Sequence, residues 1–290
     1  MSELQNIQWY PGHMTKTRRK MQESLKLVDA VAEIIDARIP ISSRNPDIDN
    51  IIANKPRIIL MNKCDMANEN KTAKWIEYFK EKKITAIPVD CKTGKGLNLF
   101  FTTVRNLLSE KIEAWQAKGM SGKSVKIMVV GIPNVGKSSF INRMAGKERA
   151  KVEDRPGVTR GNQWFTIGRG FELLDTPGVL WPKFEDKQVG EYLAFTGAVK
   201  DQIIDTELLA VRLLETLNMN YSRFITERYK LKNPIENLQG YELLETIGKA
   251  RGMFIKGGEI DTERTSIMVL DEFRDGKLGR ITLENPPQIT

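Results

Sequence analysis

GIPNVGKSS, residues 131–139, decides the fold, and it is entered from SVKIMVVG (124–131), a run of apolar and β-branched residues. Gly131, then four residues, then Gly136-Lys137-Ser138 is a complete phosphate-loop pattern between an expected strand and an expected helix, SSFINRMAG. Glycines let successive backbone N–H groups curve around phosphates without Cβ clashes. The helix that follows adds its positive N-terminal end. In this arrangement Lys137 pairs with β- and γ-phosphate oxygens and the Ser138 hydroxyl ligates Mg²⁺. Asn134, Val135, Gly136 and Ser139 complete the cradle. A glycine-rich turn with a chance Lys-Ser would not need the strand in front.

Downstream, FELLD (171–175) reads as a strand that delivers Asp175-Thr176-Pro177-Gly178. Alone, such a tetrapeptide is an ordinary turn. Thirty-seven residues after Ser138, Asp175 is where a second carboxylate for Mg²⁺ belongs, and the Gly178 N–H can meet the γ-phosphate. Between them PGVTRG holds Thr159, whose spacing suits a residue that caps Mg²⁺ and senses the γ-phosphate.

Upstream, RIILMN (57–62) is an expected strand running into Asn62-Lys63-Cys64-Asp65. A carboxylate at Asp65 can accept both N1–H and the exocyclic amino group of guanine. Adenine offers neither donor, and an acceptor left unpaired discriminates by ~10⁴ or more. Asn62 can bridge to the other edge of the base, and the Lys63 stem can pack over the ring. A surface turn is the bland reading of these four residues, and the phosphate loop weighs against it. VDCKTGKG (89–96), after the strand ITAIPVD, is expected to complete the base pocket through Cys91 and Lys92.

Strands at 31–37, 57–62, 84–90, 124–131, 162–168 and 171–175 alternate with helical stretches, among them 71–83 and one long helix from Leu97 to about Ala117. That alternation predicts an α/β fold with a doubly wound, mainly parallel sheet. From about Pro182 the pattern turns helical, as in DTELLAVRLLETL and ENLQGYELLETIGKA. The expected domains are therefore 1–182, with a basic N-terminal arm, and a smaller, mainly helical 183–290. Residues 1–182 carry 30 Lys/Arg against 19 Asp/Glu, and 183–290 carry 15 against 18. The surplus on the nucleotide-motif half suggests a polyanionic partner, with solubility as the plain alternative. No apolar run approaches the ~18 residues of a membrane span, and MSELQNIQWYPGHM lacks the layout of a signal peptide. Cys64 and Cys91 are too few for a disulfide scaffold, and with a single histidine and no CxxC pair a structural zinc site is not expected. The expectation is a cytoplasmic protein with no membrane and no DNA partner.

The base reader precedes the phosphate loop by some seventy residues, the reverse of the usual order. In an open α/β sheet, ligands bind at the carboxyl ends of the strands whatever the connectivity. Opening a GTPase after its switch strand and joining the old termini through KGMSGKS (118–124) gives this order. The chain resembles the circularly permuted GTPases, most closely the ribosome biogenesis GTPase A family, through WYPGHM (9–14), DARIP (36–40), NKCD, GIPNVGKSS, PGVTRG and DTPGVLWP. The resemblance runs over the whole chain. It implies a P-loop GTPase, GTP as substrate with Mg²⁺, and binding to the large ribosomal subunit and its rRNA late in assembly. In such a chain the switch strand leads directly into 183–290, so loss of the γ-phosphate is expected to be felt there.

Ras-like enzymes place a water-orienting glutamine after the DxxG motif. Here that position is Val179, so intrinsic hydrolysis is expected to be slow. Two candidates supply the missing group. The resemblance supports His13 as catalytic, and its imidazole titrates near neutrality; a structural or RNA-contacting histidine is the alternative. In some relatives an Asn at the place of Asn134 helps to hold K⁺ against the phosphates; otherwise Asn134 only shapes the loop. Arg18, Arg19 and Lys20 can touch RNA or line a solvated helix. Arg223, Arg228, Lys230 and Lys232 lie near Tyr221, Phe224 and Tyr229, a mixture that suits RNA, against the acidic balance of their domain. Competing readings are a GTP-gated RNA-binding or stress-signalling module in which hydrolysis is incidental, and a P-loop kinase or ATPase, against which Asp65 argues.

Overall fold

The computed structural model describes residues 19, 21–120, 122–146, 163–168, 170–176, 186–199 and 205–287. The described residues up to 176 form an α/β unit that 284–287 rejoin, and those from 186 to 283 form a helical unit.

In the α/β unit the strands are β1 (Ala30–Asp36), β2 (Arg57–Asn62), β3 (Thr85–Pro88), β4 (Val125–Val130), β5 (Gln163–Thr166) and β6 (Phe171–Asp175). Their order is β3-β2-β1-β4-β6-β5. Every pair is parallel except β5 with β6. From β1 the chain steps outward to β3, returns, and sets β4 beside β1 before stepping the other way. The order therefore reverses between β1 and β4, which is where doubly wound sheets bind ligands. Register then brings the motifs to one rim. Asp36 lies opposite Asn62, Met61 opposite Pro88, and Val129 opposite Asp175.

All seven residues of β1 are buried, as a strand covered on both faces requires. Ile35, Ile59 and Met61 pack with Trp75 and Phe79 of helix Glu69–Glu81. Val31, Met128 and Val130 pack with Ile48, Ile51 and Ile52 of the short helix Ile48–Ile52. Their alternates Ile34, Ile58, Leu60 and Val129 are also fully buried. Helices Asn98–Leu107 and Lys137–Ala145 meet through Phe100 and Phe140, edge to face at 5.2 Å. Glu33 sits within β1 because two cations neutralise it: Arg44 at 2.8 Å and Arg57 at 3.3 Å.

The long helix expected from Leu97 to Ala117 is two helices, Asn98–Leu107 and Ser109–Ala117. At Leu108 the backbone leaves helical values (φ −113°) while its side chain stays buried. Helix Ser109–Ala117 buries none of its residues, so no packing holds it in line with the first. Sequence periodicity also passed over the helices Ile48–Ile52, Lys187–Phe195 and Thr262–Arg274.

Beyond Leu283 the chain binds the α/β unit. The Glu284 carboxylate accepts from the backbone N–H of Ile41 (2.7 Å) and Ser42 (3.0 Å) and from the Ser42 hydroxyl, while Trp75 Nε1 donates to the Glu284 carbonyl at 3.3 Å. Burial, with the Asp36 charge adding to it, pushes the Glu284 carboxyl above its ordinary range despite these donors. Truncation in Glu284→Ala strands two backbone donors and is expected to destabilise the α/β unit by about 1–3 kcal/mol. Urea denaturation followed by tryptophan fluorescence reads this; an unmoved midpoint would mean that the tail contributes nothing.

In the helical unit, helices Lys187–Phe195, Thr206–Tyr229, Gly240–Ala250 and Thr262–Arg274 enclose Leu213, Leu217, Leu244, Ile247, Val269 and Phe273. Asp205 and Asp261 cap two of them through the N–H groups of Leu208 and Arg264. The proposed basic–aromatic cluster is largely consumed by the fold. Arg223 pairs with Glu227 at 2.6 Å, and Arg228 pairs with Glu272. Tyr229 is buried, and Tyr221 stacks on Phe224 at 5.6 Å. Lys230 and Lys232 remain exposed. Ion pairing and core packing, which the mere nearness of charges and rings does not reveal, account for the difference. Among the described residues no helix is long and apolar enough to cross a membrane.

Candidate nucleotide site

β4 delivers Gly131, and the loop turns through Asn134 (φ +61°) and Gly136 (φ +103°) into helix Lys137–Ala145. A Cβ on Gly131 would lie 2.6 Å from the Ile34 carbonyl, so the neighbouring strand permits only glycine. A Cβ on Gly136 would lie 2.2 Å from Asn62 Nδ2. The base reader and the phosphate loop are thus in contact, although 74 positions separate Asn62 from Gly136 in the chain.

Asn62 makes the joint. Its Nδ2 donates to the Val135 carbonyl at 2.6 Å and its Oδ1 accepts from Cys91 N–H at 2.9 Å. One buried amide thereby pins the phosphate loop to both base-reading segments. A second tie comes from Arg143, on the phosphate-loop helix, which donates to the Lys92 carbonyl. Asp90 orders the same loop by accepting from the N–H groups of Lys92 (2.8 Å) and Thr93 (3.2 Å). Cys91 is buried, and burial pushes its thiol up to about 12, so it acts through its backbone. Lys92 is exposed.

At the phosphate end Lys137 is half-buried. Burial draws its ammonium below the ordinary lysine range, and Asp175 opposes that shift. Burial raises the Asp175 carboxyl, and Lys137 opposes. Oδ1 of Asp175 is buried and has no hydrogen-bond partner among the described residues. Thr176 fixes the end of β6 by donating its hydroxyl to the Val129 carbonyl at 2.7 Å. A buried, unsatisfied carboxylate oxygen on the strand beside the phosphate loop, with the Ser138 hydroxyl exposed at the first turn of the helix, fits a hard divalent cation such as Mg²⁺.

Residues 126–238 match the family model described as "50S ribosome-binding GTPase". Ribosome biogenesis GTPase A of Bacillus cereus is 49% identical, with 97% of this chain and 95% of that protein covered. The chain belongs to the ribosome biogenesis GTPase A family. The Thermotoga maritima member is 32% identical over 98% of this chain and 96% of its own. Among solved structures, GNP-bound YlqF from T. maritima is similar at a TM-score of 0.63 and 27% identity, covering 94% of this chain and 100% of that one. A GDP-bound YlqF structure is similar at 0.65, with 92% and 99% covered. As a member of the ribosome biogenesis GTPase A family, this chain is a GTPase with a role in ribosome assembly. Its sheet has the circularly permuted order that the motif order predicts.

The structure joins Asn62 to Cys91, Val135 and Gly136, Lys92 to the phosphate-loop helix through Arg143, and Lys137 to Asp175, while Lys63, Asp65, Asn134, Ser138 and Ser139 lie on the same strand-end segments. Lys63 has a partner that sequence reading missed: its Nζ lies 2.9 Å from Asp36 Oδ2. Arg143 was missed as well, since an arginine inside an amphipathic helix carries no signal of its own. His13, Thr159, Gly178, Val179, Arg18 and Lys20 lie outside the described residues. Gly136→Ala is expected to displace the Asn62 amide and strain the loop, a cost of ~1–3 kcal/mol that would weaken GDP roughly 10–100-fold. Isothermal titration calorimetry measures it; wild-type affinity would show that the contact between loop and amide is dispensable.

Proposed function

We propose that this GTPase binds the large ribosomal subunit through its rRNA late in subunit assembly, and that hydrolysis of GTP to GDP and phosphate triggers its release. The observation that carries the reading is the Asn62 joint, which makes base recognition and phosphate binding one event, in a chain related over nearly its full length to ribosome biogenesis GTPases. The matching family model, that of a 50S ribosome-binding GTPase, supports the partner, and the basic surplus of residues 1–182 supports an RNA surface. The same partner implies action in the cytoplasm.

Asp65 reads the guanine, Asn62 and the 90–95 loop hold the pocket's shape, and the 131–139 loop with Lys137 binds the phosphates. Ser138, Asp175 and Thr159 would hold Mg²⁺, which neutralises charge developing on the phosphate oxygens. Val179 cannot orient water, so intrinsic turnover is slow and the bound subunit completes the site. His13 is the residue of this chain proposed to orient the attacking water, with a K⁺ beside Asn134 as the competing source of assistance. Comparing KCl with NaCl, and wild type with His13→Ala, separates the two.

GTP turnover measured with purified large subunits, small subunits and neither is the test. Stimulation by large subunits alone, on the order of tenfold or more, is expected. Binding without stimulation would overturn the release mechanism and favour a GTP-gated binding module.

A further inference from the structure

Asp36 ends β1 directly opposite Asn62, and its side chain is 2% exposed. Its Oδ1 accepts from Arg38 N–H (3.0 Å) and Nε (3.0 Å), and its Oδ2 accepts from Arg38 Nη2 (2.8 Å) and Lys63 Nζ (2.9 Å). The Asp36 N–H in turn donates to Ser43 Oγ at 2.9 Å. Burial alone would raise the carboxyl, yet Arg38 and Lys63 together hold it well below the usual carboxylate range. Arg38, itself 1% exposed, already neutralises this carboxylate through a two-pronged pair. Balancing charge therefore does not require Lys63.

Lys63 reaches Asp36 from a left-handed backbone position (φ +60°), an uncommon conformation for a lysine. The result is a lysine stem stretched from the NKCD turn down to the sheet, with its ammonium held against a buried anion. A lysine in solution gives up most of its rotamer freedom when it is ordered by a ligand. Here the Asp36 carboxylate supplies a partner for the ammonium from within the protein.

We infer that Asp36 is a positioning residue for guanine-nucleotide binding: it anchors the Lys63 ammonium so that the lysine's aliphatic stem is preset as an apolar wall of the base pocket. The inference rests on the GTP-site reading above and deepens it. Arg38 and Ser43 hold Asp36 in turn, which gives the DARIP stretch at 36–40 a physical task at the base pocket. Because GDP and GTP share the base, the effect falls on both alike and leaves the phosphate end alone.

A double-mutant cycle tests it, with GDP affinity measured by calorimetry on the full chain for wild type, Asp36→Asn, Lys63→Met and the pair. Asp36→Asn is expected to weaken GDP and GTP about tenfold each, raising KM while kcat holds, since rotamer ordering of the freed lysine now accompanies binding. In the Lys63→Met background the same change should cost nothing further. Thermal melts control for Arg38, whose partner is altered: Asp36→Asn is expected to lower Tm in both backgrounds, whereas affinity falls only where Lys63 is present. Equal affinity losses in both backgrounds, or a folded Asp36→Asn protein with wild-type affinity, would overturn the inference. Wild-type protein that binds ADP as tightly as GDP would instead overturn the guanine site itself.

Discussion

Asp65→Asn exchanges the base preference of the site from guanine to xanthine. The carboxylate of Asp65 can accept from guanine N1–H and from its 2-amino group. A carboxamide presents one acceptor and one donor, which suits the N1–H and the 2-oxo group of xanthine and sets a donor against the 2-amino group of guanine. Asp65 is half-buried, with a buried Oδ1, so water compensates a mismatch poorly. Sites built on such pairs reject the wrong partner by about 10⁴-fold, and a comparable loss of GTP affinity with a gain for XTP is expected. The substitution changes no volume, so the fold is kept. Competition of GTP and XTP against a fluorescent nucleotide reads the outcome. Undiminished GTP binding would remove Asp65 from the pocket.

Lys137→Ala should lower kcat/KM for GTP by about 10²–10³, the scale of losing one preorganised charge at a developing anion. The half-buried ammonium is held in the loop with Asp175 as its nearby counter-charge. Without it, burial drives the Asp175 carboxyl further up, because the opposing cation is gone. With Asp175 as a proposed Mg²⁺ ligand, metal binding there would compete with protonation, so the variant should lose further activity as pH falls. Single-turnover hydrolysis across pH measures both effects, and near-normal turnover would show that the 131–139 loop does not cradle the reacting phosphates.

Local pattern was enough for the sheet. β1, β2 and β4 are apolar runs because both faces are covered, and glycines at 131 and 136 mark close backbone approaches that a Cβ would block. Motif order in the chain gave the permutation, since strand-end chemistry must converge at the switch point. What stayed hidden is side-chain pairing across long separations. Nothing near Lys63 announces Asp36, nothing near Lys92 announces Arg143, and Glu284 finds Ile41 and Ser42 from the far end of the chain. The helix break at Leu108 was hidden for a related reason: helix-forming residues continue through 109–117 although the buried face stops. The cluster near Arg223 is instructive in the other direction. Glu227 at i+4 was readable as its partner, whereas the pairing of Arg228 with Glu272 needed the folded unit.

The most direct test is a crystal structure of the protein with a non-hydrolysable GTP analogue and Mg²⁺. Distant stretches of polymer are claimed to close on a single ligand, so the guanine edge should sit within hydrogen-bond reach of Asp65 while Lys137 contacts the terminal phosphates. An analogue whose phosphates occupy the 131–139 loop while its base lies away from the NKCD turn would contradict the account.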